Sequence, residues 1–355
     1  MNILFVSCNG IEDAAFGGPK GSIRNYKALQ KYGTVIPIHI AKESNFQSAT
    51  SLFEGYYPPV SNKYLRDIKQ IIRDKSIDLV FFDQSLYGKL VSEVNNLGCV
   101  TIVFCHNCEA DFNNVRFSNS KNKIKKYLYS KAIKSNERTA VQSANKIAVF
   151  SKRDAERIFE LYGVRASSII PLGAEDKCTA IDNNNNSRSE NYCLLLSPAY
   201  LANVQGVRWF VTNIAKHLKC KTVIAGKGFE KFQNEFQLPN ITVYGFVDDI
   251  RPLYQNAKVV AIPQLVGGGM KVKTIEAMMF GKNIVGTTEA FAGFDIDINS
   301  FGKICDKPED FADAINDFYL HGEAFNKNSR IAYEENYSLE ASAKEFDYLM
   351  EDIFR

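Results

Sequence analysis

The sequence predicts an α/β protein of two doubly wound parallel sheets, each Rossmann-like, facing one another across a cleft. Three observations lead there. Short apolar runs alternate with amphipathic helical stretches through the first half, a polar run from Asp182 to Glu190 interrupts the pattern, and the alternation then starts again. Strands alternating with helices favour a parallel sheet with helices on both faces, and strands buried on both faces read as continuous apolar runs.

In chain order, residues 3–6, 35–38, 79–82, 100–104 and 146–150 are the expected strands of the first half. Between them, Ser22 is placed to cap a helix running to Lys31, and residues 64–73 and 86–97 carry helical patterns. Residues 182–190 read as a linker or exposed loop because Asn, Asp and Ser dominate them. Strands are expected again at 192–196, 221–225, 241–244, 258–262, 283–286 and 303–305. Ala343, Phe346, Leu349, Met350 and Ile353 recur at helical spacing, which predicts a closing helix over 339–354.

Composition narrows the function. The 355 residues are 45% hydrophobic and 23% charged, enough apolar material for two cores. A net charge of +3 gives no global pull toward nucleic acid, so none is expected as a partner. The first residues lack a basic n-region, and no apolar run approaches the roughly 18 residues of a membrane span, so a cytoplasmic protein is expected. Most of the eight cysteines, Cys8, Cys99, Cys105, Cys193, Cys220 and Cys305 among them, lie in apolar runs, as free thiols do. Cys105 and Cys108 have CxxC spacing, but a zinc site wants two further ligands and no second pair is suitably spaced. No metal site is expected.

The residues with most chemical content lie at 267–282. Gly267, Gly268 and Gly269 precede Met270, Lys271 and Lys273, and Glu276 is the one acid of an apolar helix that stops at Gly281. Glycines let a backbone approach a ligand, and free N–H groups at a helix start favour an anion, which fits a nucleoside diphosphate. The same residues also fit a glycine turn followed by a helix with solvated lysines. Two further loops follow expected strands: Gly226, Lys227 and Gly228, able to pass close to a phosphate, and Gly245 to Asp249, where Phe246 and Val247 could hold a base. In the first half, Gly17 and Gly18 lie in a loop without GxGxxG spacing, which disfavours a nicotinamide enzyme but allows closure over a ligand. His106 and Glu109 follow the strand at 100–104, where a histidine could orient a sugar hydroxyl or move a proton, and Glu109 could bind an acceptor. Arg116, Lys121, Lys123, Lys125, Lys126, Lys131, Lys134 and Arg138 make 116–138 strongly basic, with Glu137 its one acid; an anionic membrane surface and plain solvation both fit.

These motifs together resemble the GT-B glycosyltransferases, most of all glycosyltransferase family 4 and its group 1 relatives. The resemblance is strongest over 194–293: Asn203-Val204 with Trp209-Phe210, Ala225 to Gly228, Val243 to Asp249, Gly267 to Met278 with Gly281, and Asn283 to Thr287 follow in the family's order. Upstream, Gly17-Gly18, His106 to Glu109 and Ser151 to Asp154 match its acceptor-domain motifs. The resemblance implies that Glu276 binds the donor ribose, that 267–271 holds the diphosphate and the transferred sugar, and that His106 lies beside that sugar. It implies retention of configuration without an obligatory metal, and a final helix that crosses back onto the first domain. Two departures stand out. Gly268 occupies a position where many relatives carry a glutamate, and 199–206 lacks their arginine–lysine pair, so Lys227, Lys271 or Lys273 would have to supply the charge.

The expectation is therefore a glycosyltransferase with an acceptor-binding domain at 1–178, a nucleotide-sugar donor domain at 191–335 and a returning helix at 336–355. His106 and Glu276 are its expected catalytic residues. Its expected donor ligands are Gly17, Gly18, Asn203, Gly226, Lys227, Phe246, Val247, Gly267, Gly268, Gly269, Met270, Lys271, Lys273 and Glu276, and Glu109 is the expected acceptor contact. No cofactor is obligatory; a nucleotide-diphosphate sugar is the donor substrate, and a glycan or lipid-linked acceptor completes the reaction. An inactive sugar-binding or partner subunit of the same shape is the alternative.

Overall fold

The computed structural model describes residues 1–11, 17–41, 45–116, 122–178 and 191–354. The expected linker at 182–190 lies outside them. The chain divides into two compact units, Met1–Leu172 with Ser342–Arg355, and Gly173–Ala341.

The first unit runs β1 (Asn2–Ser7), α1 (Gly17–Leu29), β2 (Thr34–His39), α2 (Asn45–Phe53), α3 (Asn62–Lys75), β3 (Leu79–Phe82), α4 (Gly88–Asn95), β4 (Val100–Cys105), α5 (Glu109–Arg116), α6 (Lys123–Ser143), β5 (Lys146–Val149), α7 (Lys152–Tyr162) and β6 (Ser168–Ile169). Its sheet has the order β2-β1-β3-β4-β5-β6, every neighbouring pair parallel. Winding reverses between β1 and β3, the place where an open parallel sheet leaves a crevice beyond its carboxyl ends.

Strand alternation supplies both cores. Leu4, Val6, Phe82, Val103 and Cys105 face one way and meet Ile68 of α3, Leu90 of α4, Val141 of α6 and Ile158 of α7. Phe5, Phe81 and Phe104 alternate with them onto the opposite face, as a period of two requires. Phe81 stacks on Phe5 at 5.7 Å and on Phe346 of the last helix at 6.0 Å, while Tyr26 of α1 meets Phe5 edge-on at 5.5 Å. Local signals set the ends of helices: the Ser151 hydroxyl accepts from Asp154 N at 3.2 Å to start α7, and Gly163 stops it.

The second unit runs β7 (Tyr192–Leu196), α8 (Leu201–Asn213), β8 (Thr222–Ala225), β9 (Ile241–Val243), α9 (Arg251–Asn256), β10 (Ala257–Ile262), α10 (Val272–Met279), β11 (Asn283–Gly286), β12 (Gly302–Ile304), α11 (Pro308–His321) and α12 (Lys327–Asn336); α13 (Leu339–Phe354) then leads into the last part of the first unit. Its sheet order is β12-β11-β10-β7-β8-β9, again all parallel. Read from β9, this is the Rossmann order, with winding reversed between β7 and β10. Cys193, Leu195, Ile224, Val259 and Val285 bury one face against Val207 and Phe210 of α8 and Phe311 and Ile315 of α11.

All eleven expected strands are present, within a residue or two at their ends. The two-residue β6 is an addition too short to leave a pattern. Helix α1 begins at Gly17, not at Ser22, so Gly17 and Gly18 open a helix instead of lying in a loop before it. Pro19 allows this, since the first turn of a helix needs no N–H from its residues.

Candidate functional site

At the reversal point of the second unit, the loops after β7 and β10 are pressed together. Gly206 of α8 sits so close to the chain after β10 that a Cβ there would lie 1.9 Å from the Pro263 carbonyl oxygen. That approach brings Asn203 beside Gln264. Lys273, in the first turn of α10, closes the cluster: its Nζ donates to Gln264 Oε1 at 2.6 Å and to Asn203 Oδ1 at 3.0 Å. The carboxamides are themselves anchored, Asn203 Nδ2 donating to Pro198 O at 2.8 Å and Gln264 Nε2 to Val266 O at 2.6 Å. Burial, with Lys271 nearby, lowers the Lys273 ammonium to about 7.

Lys271 differs. It is the residue before α10, buried, and its Nζ donates to Gly269 O and to Glu289 Oε1, both at 2.7 Å. Its charge is met by Glu289 and it folds back on the glycine loop, within 3.3 Å of where a Gly267 Cβ would lie. Gly267, Gly268, Gly269 and Met270 are partly exposed, and Gly269 holds φ +64°. Glu276 is partly buried, and its carboxylate lies by Tyr254, a buried ring stacked on Phe280 at 4.5 Å. Burial first and Glu276 second raise the Tyr254 hydroxyl well above its ordinary range.

The other two loops lie at the carboxyl ends of β8 and β9. Gly226 N donates to Gly245 O at 3.1 Å and joins them. Lys227 is exposed; Gly228 N donates to Glu230 Oε2 at 2.8 Å, so a carboxylate holds the amide of the Gly226–Gly228 turn. Phe246 is exposed and Val247 partly so.

The first unit has its own cluster at its reversal point. Asp83 follows β3 directly and is fully buried. Its Oδ1 faces His106 Nε2 at 3.0 Å and accepts from Asn25 Nδ2 at 2.7 Å; Oδ2 accepts from Ser7 Oγ at 3.0 Å. A carboxylate partner places the imidazole proton on Nε2, and Nδ1 is buried without a hydrogen-bond partner among the described residues. The ring is held edge-on by Phe104 at 5.4 Å and Phe150 at 5.0 Å, and by Gly21, where a Cβ would come 3.2 Å from His106 Cε1. Arg24 lies over both phenyl rings, and burial lowers its guanidinium to about 9 against the raising effect of Asp83.

Glu137 of α6 secures the segment after His106. Its fully buried carboxylate accepts from Glu109 N at 2.7 Å, Ala110 N at 3.0 Å, Ser85 Oγ at 3.0 Å and Tyr162 Oη at 2.7 Å. The first two are opening amides of α5, so Glu137 caps the helix that begins with Glu109. Burial raises the Glu137 carboxyl, and these four donors oppose the rise. Cys105 and Cys108 are buried, and burial pushes both thiols up, Cys108 to about 12. Along α6, Ile124, Tyr127 and Leu128 are exposed among the lysines.

Residues 192–321, most of the second unit, match the family model described as Glycosyl transferases group 1. No curated protein matches the chain by sequence. Among solved structures, a sucrose-phosphate synthase from Thermosynechococcus elongatus superposes at TM-score 0.76 and 16% identity over 99% of each chain. Superposition over 99% of both chains, together with the two six-stranded parallel sheets of this one, decides the fold. The fold is GT-B. Other GT-B neighbours are a glycosyltransferase from Rickettsia africae, TM-score 0.71 at 15% identity, covering 100% of this chain and 98% of that one, and HepE of Anabaena in complex with UDP, TM-score 0.67 at 13% identity, covering 99% and 100%. HepE has also been solved with UDP-glucose.

Within this GT-B chain the structure joins Asn203 to Lys273, and Lys271 to the glycine loop, from among the expected donor residues. It adds Gln264, Glu289 and Glu230 in the second unit and Asp83, Asn25, Ser7 and Glu137 in the first. Asp83 and Gln264 had a readable signal, a polar residue at or just beyond the carboxyl end of an apolar strand. Glu137 had another, the one acid in a basic helix.

Proposed function

We propose that the protein is a glycosyltransferase that moves a sugar from a nucleotide-diphosphate sugar to a glycan or lipid-linked acceptor, with retention and without an obligatory metal. The observation that carries this reading is the coincidence of the group 1 match with the polar cluster at the β7/β10 reversal, where α/β sheets bind ligands. In this reading Glu276 accepts hydrogen bonds from the ribose hydroxyls, Phe246 and Val247 flank the base, and the 267–271 loop with its lysines receives the diphosphate and sugar. Positive charge there stabilises the leaving diphosphate. The first unit binds the acceptor, with His106, held by Asp83, toward the reacting sugar and Glu109 on the acceptor. Gly17 and Gly18 open the helix that also carries Gly21 and Asn25 and close over the donor.

The biological setting proposed is assembly of a surface polysaccharide or glycoconjugate at the cytoplasmic face of a membrane. Exposed Ile124, Tyr127 and Leu128 among the α6 lysines suit an anionic bilayer, whose headgroups attract basic residues while apolar side chains enter the interface. Vesicle sedimentation indifferent to anionic lipid would remove that part.

The first test is a thermal-shift panel with UDP, GDP, ADP and their sugars, followed by donor hydrolysis and transfer for each hit. A nucleotide should raise the melting temperature, and Glu276→Ala should abolish the rise; indifference to every nucleotide would defeat the donor reading. Gly268, standing where many relatives carry an acid, favours a second reading, a sugar-binding subunit that performs no transfer. Donor binding with neither hydrolysis nor transfer would select it.

A further inference from the structure

We propose that Lys273, rather than Lys271 or Lys227, is the cation that meets the donor's diphosphate, and that its side chain takes up a proton as the donor binds. The inference rests on the donor-site reading above and specifies how that site recognises charge.

The three lysines differ in what already answers their charge. Lys227 is exposed and solvated, and the turn it occupies has a carboxylate, Glu230, bonded to the amide of Gly228. Lys271 is buried against Glu289 at 2.7 Å, a pair that is neutral as a whole, so a diphosphate arriving there would have to compete with a carboxylate. Lys273 stands at the reversal point between β7 and β10 and donates to two carboxamide oxygens, Gln264 Oε1 and Asn203 Oδ1. Carboxamides orient an ammonium but do not neutralise it. Removal from water without a counter-charge disfavours the protonated form, and here burial and Lys271 do so together, bringing the group to about 7.

Among the described residues, the charged groups placed around Lys273 are few. Lys271 and Glu276 share its helical segment, Glu289 reaches Lys271 from the turn after β11, and α8 and the loop after β10 present the neutral Asn203 and Gln264. A diphosphate supplies the missing counter-charge. It restores Lys273 to the ammonium form, and the proton, taken from the buffer, adds to the Nζ lone pair. No covalent bond is made or broken. A nucleotide sugar is the right probe, because each of its phosphorus atoms is substituted by one ester and by the shared anhydride and holds no proton near neutrality, whereas a free nucleoside diphosphate does and would obscure the count.

The experiment is calorimetric titration of UDP-glucose, or whichever nucleotide sugar of the panel binds, at pH 7 in buffers of different ionisation heat. A group titrating at about 7 is half protonated there, so uptake of about half a proton per site is expected. Affinity should fall as pH rises from 7 to 9. Lys273→Met should bind at least about tenfold more weakly and take up no proton, and should lose more affinity than Lys271→Met. Lys273→Arg, always charged, should bind without proton uptake and with flat affinity over the same pH range. Thermal melts check that each variant folds, and the wild-type buffer comparison needs no variant at all. Donor binding with no proton uptake by the wild type, or a Lys273→Met protein that binds as tightly as wild type with the same uptake, overturns the assignment while the donor reading stands. Failure of every nucleotide sugar to bind the wild type defeats the donor reading, and this inference with it.

Discussion

The two units share a six-stranded parallel sheet but place opposite charges where the winding reverses. In the first, the residue at the β1/β3 reversal is a buried carboxylate, Asp83, answered by Ser7, Asn25 and His106. In the second, the β7/β10 reversal holds an ammonium, Lys273, answered by Asn203 and Gln264. Both centres are oriented mainly by neutral side chains. Strand order sets where each cluster forms, and the charged group held there sets which chemistry it suits. A carboxylate–imidazole pair suits hydroxyl groups, and an ammonium suits a phosphate.

The largest way to break the first unit's side of this comparison is to remove Glu137. Glu137→Ala leaves two α5 amides, a serine hydroxyl and a tyrosine hydroxyl without their buried acceptor. A loss of about 3–5 kcal/mol is expected in urea unfolding, comparable to breaking a buried ionic network. Asp83→Asn sharpens the comparison. It frees the imidazole tautomer, so transfer should fall about 100-fold while nucleotide affinity, which the proposed function assigns chiefly to the other unit, stays near the wild-type value. An equal loss in donor affinity would show that the two centres do not divide the work.

A smaller effect separates the units by pH. Lys282 is buried, donates to Ala257 O and Ala324 O at 2.9 Å each, and is lowered by burial to about 8. A lysine depressed in the folded state binds fewer protons there than when unfolded. Its burial cost is therefore complete below pH about 8 and is relieved as pH rises toward the unfolded value near 10.4. Stability of the second unit should rise from pH 8 to 9, and Lys282→Met should reduce that rise by about 1 kcal/mol in urea midpoints compared at the two pH values. The smallest effect belongs to the exposed pair Arg208–Glu235: Arg208→Ala should change stability by less than about 1 kcal/mol.

What the sequence disclosed follows from how local each signal is. Strands β3, β7 and β11 are found residue for residue because buried parallel strands are unbroken apolar runs with turns at both ends. The last helix is found because its apolar stripe is periodic. Partners were much less legible. Nothing local tells Lys273 from Lys271; the difference lies in Glu289, Asn203 and Gln264, brought in by three other segments. His106 was visible from its place after a strand, but the carboxylate that holds it arrives from the neighbouring strand, and only the sheet order makes them adjacent.

The Phe5–Phe81–Phe104 face of the first unit is covered in part by Phe346, and Arg24 bonds both Pro171 O and the Ser342 hydroxyl. Those contacts have a consequence during synthesis. When Leu172 leaves the ribosome, the first sheet has all six strands but lacks one of its covering helices, and the whole of the second unit must be translated before Ser342 and Phe346 emerge. The second unit is an uninterrupted stretch and can finish first. The nascent first unit waits with an aromatic face open, so its completion is paced by translation of 173–341, and a ribosome stalled in that interval would present an apolar sheet surface to chaperones.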